Sequence, residues 1–197
     1  MTMHQDKERL VAFSGPFSWI NQPQIPSLWE APELSKPGIY IWTVELPEGH
    51  LIFYVGETGT SLRQRLGEHY KKLTTAQYHV YDPAQFARGK RVSLWPGTFR
   101  NVKSVAECDA ALPMLRKPIT EIVRMLRLFI APLDCDLRTR RRIEAAIAQP
   151  LYSISGMIRE FQDPTIRYHA REAGEASIAC RLTSSTRMLG VQERFLA

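Results

Sequence analysis

Two short runs rich in β-branched and aromatic residues stand close together, residues 38–44 (GIYIWTV) and 51–55 (LIFYV). Such residues suit a pleated, half-buried surface. Between them lies residues 45–50, ELPEGH, where Pro47 and Gly49 punctuate the chain. The pattern predicts a β-hairpin with a longer loop. Residues 56–60, GETGT, break the second strand, and Ser61 can cap a helix running to about Leu73. In that helix Leu62, Leu66, Tyr70 and Leu73 draw one apolar stripe. Arg65 and His69 stand four apart beside the stripe, at the edge of the face it buries.

The rest of the chain adds elements around this unit. Residues 1–37 hold five prolines with Trp19 and Trp29 between them. Proline removes a backbone donor and clashes with the preceding turn, so this segment reads as an arm wrapped over the core, with at most a short helix over 7–13. Residues 83–88 predict a short helix and 92–95 a strand. A further helix is expected over 106–125, interrupted or begun at Pro113 and Pro118, then a third strand over 126–133 (LRLFIAPL). Asp134 or Asp136 caps the next helix, which ends before Pro150. The tail from Ser155 carries mixed signals, and no internal repeat is visible. The sum is an α+β fold, a small three-stranded sheet with a β-hairpin, flanked by helices. Three segments follow: an N-terminal arm (1–37), a core domain (38–153) with an insertion at about 74–105, and a C-terminal extension (154–197).

Composition limits the function classes. At 44% hydrophobic the chain can bury a core and is no disordered tail. Lys and Arg number 26 against 20 Asp and Glu, a net charge of +6 that admits a polyanionic partner without naming one. The excess gathers at 88–103 and 138–142. No run of 18 apolar residues suggests a transmembrane helix, and the N-terminus lacks the basic-then-apolar pattern of a secretory signal. Cys108, Cys135 and Cys180 form neither a CxxC pair nor a zinc pattern. They read as reduced packing thiols of a cytoplasmic protein.

Gly38-Ile39-Tyr40 opens the first strand, Tyr54-Val55-Gly56 closes the second, Arg65 and His69 follow on the helix, and Glu144 lies on a helix after the third strand. This ordered set resembles the GIY-YIG nuclease family, over about residues 38–152. Three departures stand out: the 13 residues between Tyr40 and Tyr54 make a long gap, Glu57 follows Tyr54-Val55-Gly56 where other branches carry a lysine or a small residue, and Ser153 stands where the family often has Asn. The resemblance implies a metal-dependent endonuclease that hydrolyses DNA phosphodiester bonds with Mg²⁺ or Mn²⁺. It implies Tyr40 as base or water-orienting group, helped toward neutral pH by the field of Arg65 and the metal. Tyr54 would hydrogen-bond the phosphate, Arg65 would offer its planar donor fork, His69 would orient Tyr40 or relay a proton, and Glu144 would be the metal ligand. Gly56, Glu57 and Ser153 are candidates for supporting contacts.

Taken singly, each residue has a plainer reading. Tyr40 and Tyr54 are ordinary strand aromatics, Arg65 can pair with Glu68, His69 can sit on the surface, and Glu144 can pair with Arg140 or Arg141. The basic run with interleaved aromatics suggests a DNA-contacting surface, with Lys72, Arg88, Lys90, Arg91, Arg100, Lys103 and Arg141 as candidate contacts, or else a solvated loop. DNA is the expected partner, no membrane is, and the resemblance leaves room for a homodimer. Restriction or defence against foreign DNA is the favoured role. A repair nuclease for branched or damaged DNA, and a nucleic-acid-binding module of the same fold without catalysis, stay open.

Overall fold

A computed structural model describes residues 8–197, the Arg100 side chain excepted; Lys7, the expected start of a short helix, lies outside the described residues. In chain order the elements are β1 (Arg9–Phe17), β2 (Gly38–Leu46), β3 (Gly49–Thr58), α1 (Leu62–Thr74), β4 (Val80–Tyr81), α2 (Pro83–Phe86), β5 (Ser93–Trp95), α3 (Val105–Met125), β6 (Leu126–Pro132), α4 (Leu137–Ala148), α5 (Met157–Glu160), β7 (Ala179–Ser184), β8 (Met188–Leu189) and β9 (Arg194–Leu196). No helix among the described residues is long and apolar enough to cross a membrane.

The small three-stranded sheet expected from the sequence is overturned. Seven strands form one curled, mixed sheet in the order β8-β3-β2-β6-β1-β7-β9, and β4 pairs with β5 in a separate two-stranded sheet. The hairpin and third strand are the β3-β2-β6 stretch of it. The four added strands come from the N-terminal and C-terminal segments, so one sheet draws on all three segments of the chain. β1 lies antiparallel to β6 and parallel to β7, and β7 lies antiparallel to β9.

Local patterns explain these differences. Residues 7–13 look helical, but Val11 and Phe13 are buried while Leu10 and Ala12 are exposed. That two-residue period belongs to a strand. In α3, Ser104 accepts from the Glu107 N–H and Glu107 bonds back to the Ser104 N–H, a capping box that starts the helix. The helix then runs unbroken through Pro113 and Pro118 because Cys108, Ala111, Leu115, Ile119, Ile122 and Val123 bury one continuous stripe. Packing outweighs two missing donors. Asp136, not Asp134, caps α4 by accepting from the Thr139 N–H at 2.9 Å.

The sheet divides the core into two layers. On one side Tyr40, Trp42 and Val44 pack with Leu62 and Leu66 of α1 and Ile119 and Ile122 of α3. Trp19 is buried there too, its ring 5.6 Å from Trp42 and 5.5 Å from Tyr70. On the other side Ile39, Ile41 and Phe129 meet Ile143 and Ile147 of α4.

Two glycines and one irregularity place the central strands. A Cβ on Gly38 would run into the Ala131 carbonyl oxygen of β6, and a Cβ on Gly56 would run into the Tyr40 ring. Tyr40 pairs with Gly56 and Trp42 with Tyr54, but Thr43 pairs with Ile52, so Phe53 is an extra residue in β3. This bulge turns both Phe53 and Tyr54 toward the Tyr40 layer, while Ile52 and Val55 face α4.

Candidate active site

α1 begins where Ser61 accepts from the Gln64 N–H at 3.1 Å, which sets the helix phase and aims Arg65 and His69 at β2. Arg65 Nε donates to the Tyr40 hydroxyl at 3.3 Å. That hydroxyl lies 2.7 Å from His69 Nε2, and His69 Nδ1 lies 2.7 Å from the Tyr78 hydroxyl. With Arg65 donating to its oxygen, Tyr40 sends its own proton to Nε2. His69 then carries its proton on Nδ1 and donates to Tyr78. Tyr54 completes the cluster, its ring 6.0 Å from Tyr40 and 5.8 Å from His69.

Burial fixes the protonation states. It raises Tyr40 well above the usual tyrosine value, with Tyr54 adding to the rise and Arg65 only opposing it. The field of Arg65 therefore does not by itself bring Tyr40 toward neutral pH. Tyr54 is raised by burial and by Glu144. Burial, then Arg65 and Lys72, push His69 down to about 3. At neutral pH the cluster consists of neutral phenols, a neutral imidazole and one guanidinium. Arg65 also pairs with Glu68 at 3.5 Å, an exposed contact of the kind worth little.

Glu144 approaches from α4, in the opposite layer. β8 pairs only with His50 and Leu51, so the later part of β3 has no second strand neighbour, and Gln162 and Tyr168 donate to its Ile52 and Val55 carbonyls instead. Glu144 is felt electrostatically by Tyr54. Burial and Glu57 raise its carboxyl to about 8, against the pull of the Glu57 N–H, Arg141 and Arg65. Arg140 and Arg141 are not its ion-pair partners. Arg140, 4% exposed, donates through Nε to Glu57 at 3.0 Å and through Nη1 to the Cys135 carbonyl at 2.6 Å. Arg141 lies 3.6 Å from the same Glu57. Glu57 is thus held by two arginines directly behind Glu144.

The other expected positions scatter. Arg88 and Lys90 are exposed in the loop after α2, and Lys72 is exposed with its ammonium 6.0 Å from the Tyr78 ring. Arg91 turns inward, donating to the Tyr81 hydroxyl at 2.6 Å and to Asp163 at 2.9 Å. Lys103 pairs with Glu107 at 2.9 Å and lies over the Trp95 ring. The Arg100 side chain lies outside the described residues. Ser153 is exposed at the end of the turn after α4 and does not join the cluster. Tyr78 and Arg140 were not foreseen as site residues. Tyr78 lies in the insertion, where no spacing rule ties it to His69. Arg140 is hidden among the other arginines of 138–142.

A cavity of about 260 Å³ opens beside the cluster. Tyr54, Arg65, His69 and Tyr78 line one side of it. Trp42, Phe53, Tyr81, Phe86 and Phe99 line much of the rest, with Asp163, Thr165 and Ile166 supplied by the C-terminal segment.

No family model matches the chain, and neither a curated protein nor a solved structure matches it.

Proposed function

We propose that this protein is a metal-dependent endonuclease of the GIY-YIG type that hydrolyses DNA phosphodiester bonds. One observation carries the reading: Arg65, Tyr40 and His69 share a hydrogen-bonded chain, with Tyr54 beside it and the half-buried Glu144 opposite. A catalytic hydroxyl, a donor fork for phosphate and a proton acceptor stand in one place, supplied by β2 and α1.

The residues fit a divalent ion held by Glu144. Among the described residues no group of three or more His, Cys, Asp or Glu gathers. Glu144 offers a single carboxyl, whose neutral form is favoured by burial and by Glu57, so a bound cation would replace its proton. A single hard oxygen donor suits Mg²⁺, which keeps several waters and also takes phosphate oxygens. Such an ion would neutralise charge on the phosphate and the leaving oxygen.

The chain's own groups do the rest. Tyr40 orients the attacking water and takes its proton as it passes its own phenolic proton to the neutral His69. Tyr78 stabilises the imidazolium that forms by accepting from Nδ1. Arg65 has donors beyond the one on Tyr40 and offers them to the phosphate. The net charge of +6 holds the DNA backbone and gives salt-sensitive binding. Restriction or defence against foreign DNA is the role we favour, in the reducing cytoplasm where the three free thiols are stable.

The test is cleavage of duplex and branched DNA with Mg²⁺ or Mn²⁺. Wild type should cut, and Glu144→Ala should bind but not cut. A wild-type protein inert on every DNA form and with both metals overturns the enzyme reading in favour of a binding module. Preference for branched over duplex DNA overturns the restriction role in favour of repair.

A further inference from the structure

The cavity beside the catalytic cluster has walls that the hydrolysis does not use. Its floor is buried and aromatic: Trp42, Tyr81 and Phe86. Its rim is accessible, with Phe99 46% exposed and His79, Thr165 and Ile166 half-buried. The rings stack on one another into one aromatic wall. His79 stacks on Tyr81 with centroids 5.9 Å apart and an angle of 12°, and Tyr81 stacks on Phe86 at 5.4 Å and 14°. Such walls favour a flat, polarisable guest.

One carboxylate lines the same space. Asp163, fixed by Arg91 and Thr165, offers its oxygens to a guest's donor. The guest is then planar, aromatic in character, and carries a hydrogen-bond donor. The volume, about 260 Å³, falls just below the range of about 300–1,000 Å³ for drug-sized ligand pockets, as suits a single heterocycle.

We propose that this cavity receives a single nucleobase, unstacked from the DNA next to the bond that is cut. The inference rests on the nuclease reading, and it adds how the site positions its substrate. Arg65, His69, Tyr54 and Tyr78 belong both to the cluster and to the cavity wall, so a base seated here belongs to a nucleotide adjoining the phosphate held by Arg65. Enzymes that extract a base accept an unstacking cost, which shrinks when the base is already missing or mispaired.

The test uses the full chain without divalent metal and a duplex that the wild type cuts. Single 2-aminopurines, and separately single abasic sites, are moved along the duplex around the cut. At one position 2-aminopurine fluorescence should change on binding, and the abasic site there should bind at least about tenfold more tightly than intact DNA. His79→Ala and Phe99→Ala, both near the rim, should weaken intact DNA and leave the abasic duplex unchanged, so the abasic advantage grows by at least about threefold while circular dichroism remains that of wild type. DNA that is cut with no responsive position overturns the pocket and leaves the nuclease reading standing. An abasic advantage that stays at the wild-type value in both variants also overturns it. A protein that neither binds nor cuts DNA overturns both.

Discussion

The Tyr40 hydroxyl and His69 Nε2 stand 2.7 Å apart, and their protons are fixed by a third group, since Arg65 Nε already donates to the same hydroxyl. Removing the phenolic oxygen leaves Nε2 a buried acceptor with no donor. Tyr40→Phe should lower the cleavage rate by about 10²–10⁴-fold, the usual range for a lost acid–base group. Unfolding by urea should show a loss of about 1–3 kcal/mol from the unpaired His69. Normal cleavage by this variant would remove Tyr40 from the chemistry.

Two groups of the site titrate with opposite sign, so each is read against its own variant. His69 is held at about 3 against an ordinary 6.5. Below 6.5 the unfolded chain takes a proton that the folded one refuses, so stability falls as pH falls. Relative to His69→Gln, wild type in metal-free buffer should lose about 2–3 kcal/mol between pH 6.5 and 4.5. A flat difference across that window would mean His69 is not held neutral.

Glu144 runs the other way. Its carboxyl is raised to about 8 from 4.5, so between those values the folded chain keeps a proton that the unfolded one has released. Stability then falls as pH rises. Relative to Glu144→Gln, wild type should lose roughly 3 kcal/mol between pH 5 and 8 without metal. Saturating Mg²⁺ should recover part of that loss at pH 8 by binding only the folded form. Denaturation curves at several pH values measure both.

Gly56 has no room for a side chain because the Tyr40 ring lies across it. Gly56→Ala should displace that ring, costing about 1–3 kcal/mol of stability. It should also reduce cleavage more than DNA binding, because Tyr40 is moved while Arg65 stays. Equal losses in cleavage and binding would argue against a role centred on Tyr40.

Arg140 and Glu57 form an ion pair whose side chains are 5% and 14% exposed. Taking away one partner of such a pair costs about 3–5 kcal/mol, and replacing both with well-packed apolar groups costs much less. Glu57→Gln should therefore lower the melting temperature sharply, with most of the loss recovered in Glu57→Leu/Arg140→Met. Glu57→Gln should also bring the Glu144 carboxyl down, since it removes a nearby negative charge, a shift that carboxyl NMR titration reads directly.

What the sequence made legible was local. The hairpin, the Ser61-capped helix, the strand at 126–132 and the Asp136-capped helix follow from turn residues, caps and periodicity, and these elements carry Tyr40, Tyr54, Arg65, His69 and Glu144. What it hid was long-range. Residues 9–17 read as helix or arm until β6 and β7 give them strands to pair with. The prolines of α3 read as breaks until the helix has a core to bury. Tyr78, Asp163 and Arg140 reach the site only through tertiary contacts, and no spacing in the chain announces those.

The surplus residue at Phe53 shows why the long hairpin gap matters. Side chains along a strand alternate like odd and even numbers, and one extra residue changes the parity of everything after it. With Phe53 in place, Tyr54 and Gly56 meet Tyr40 while Glu57 faces α4 and its arginines. Lose one residue between Gly49 and Tyr54, and regular alternation would send Tyr54 toward α4 and Glu57 toward Tyr40. The length of this hairpin is thus a constraint on arithmetic rather than on reach: residues added or removed there in pairs preserve the site, and single ones exchange its two faces.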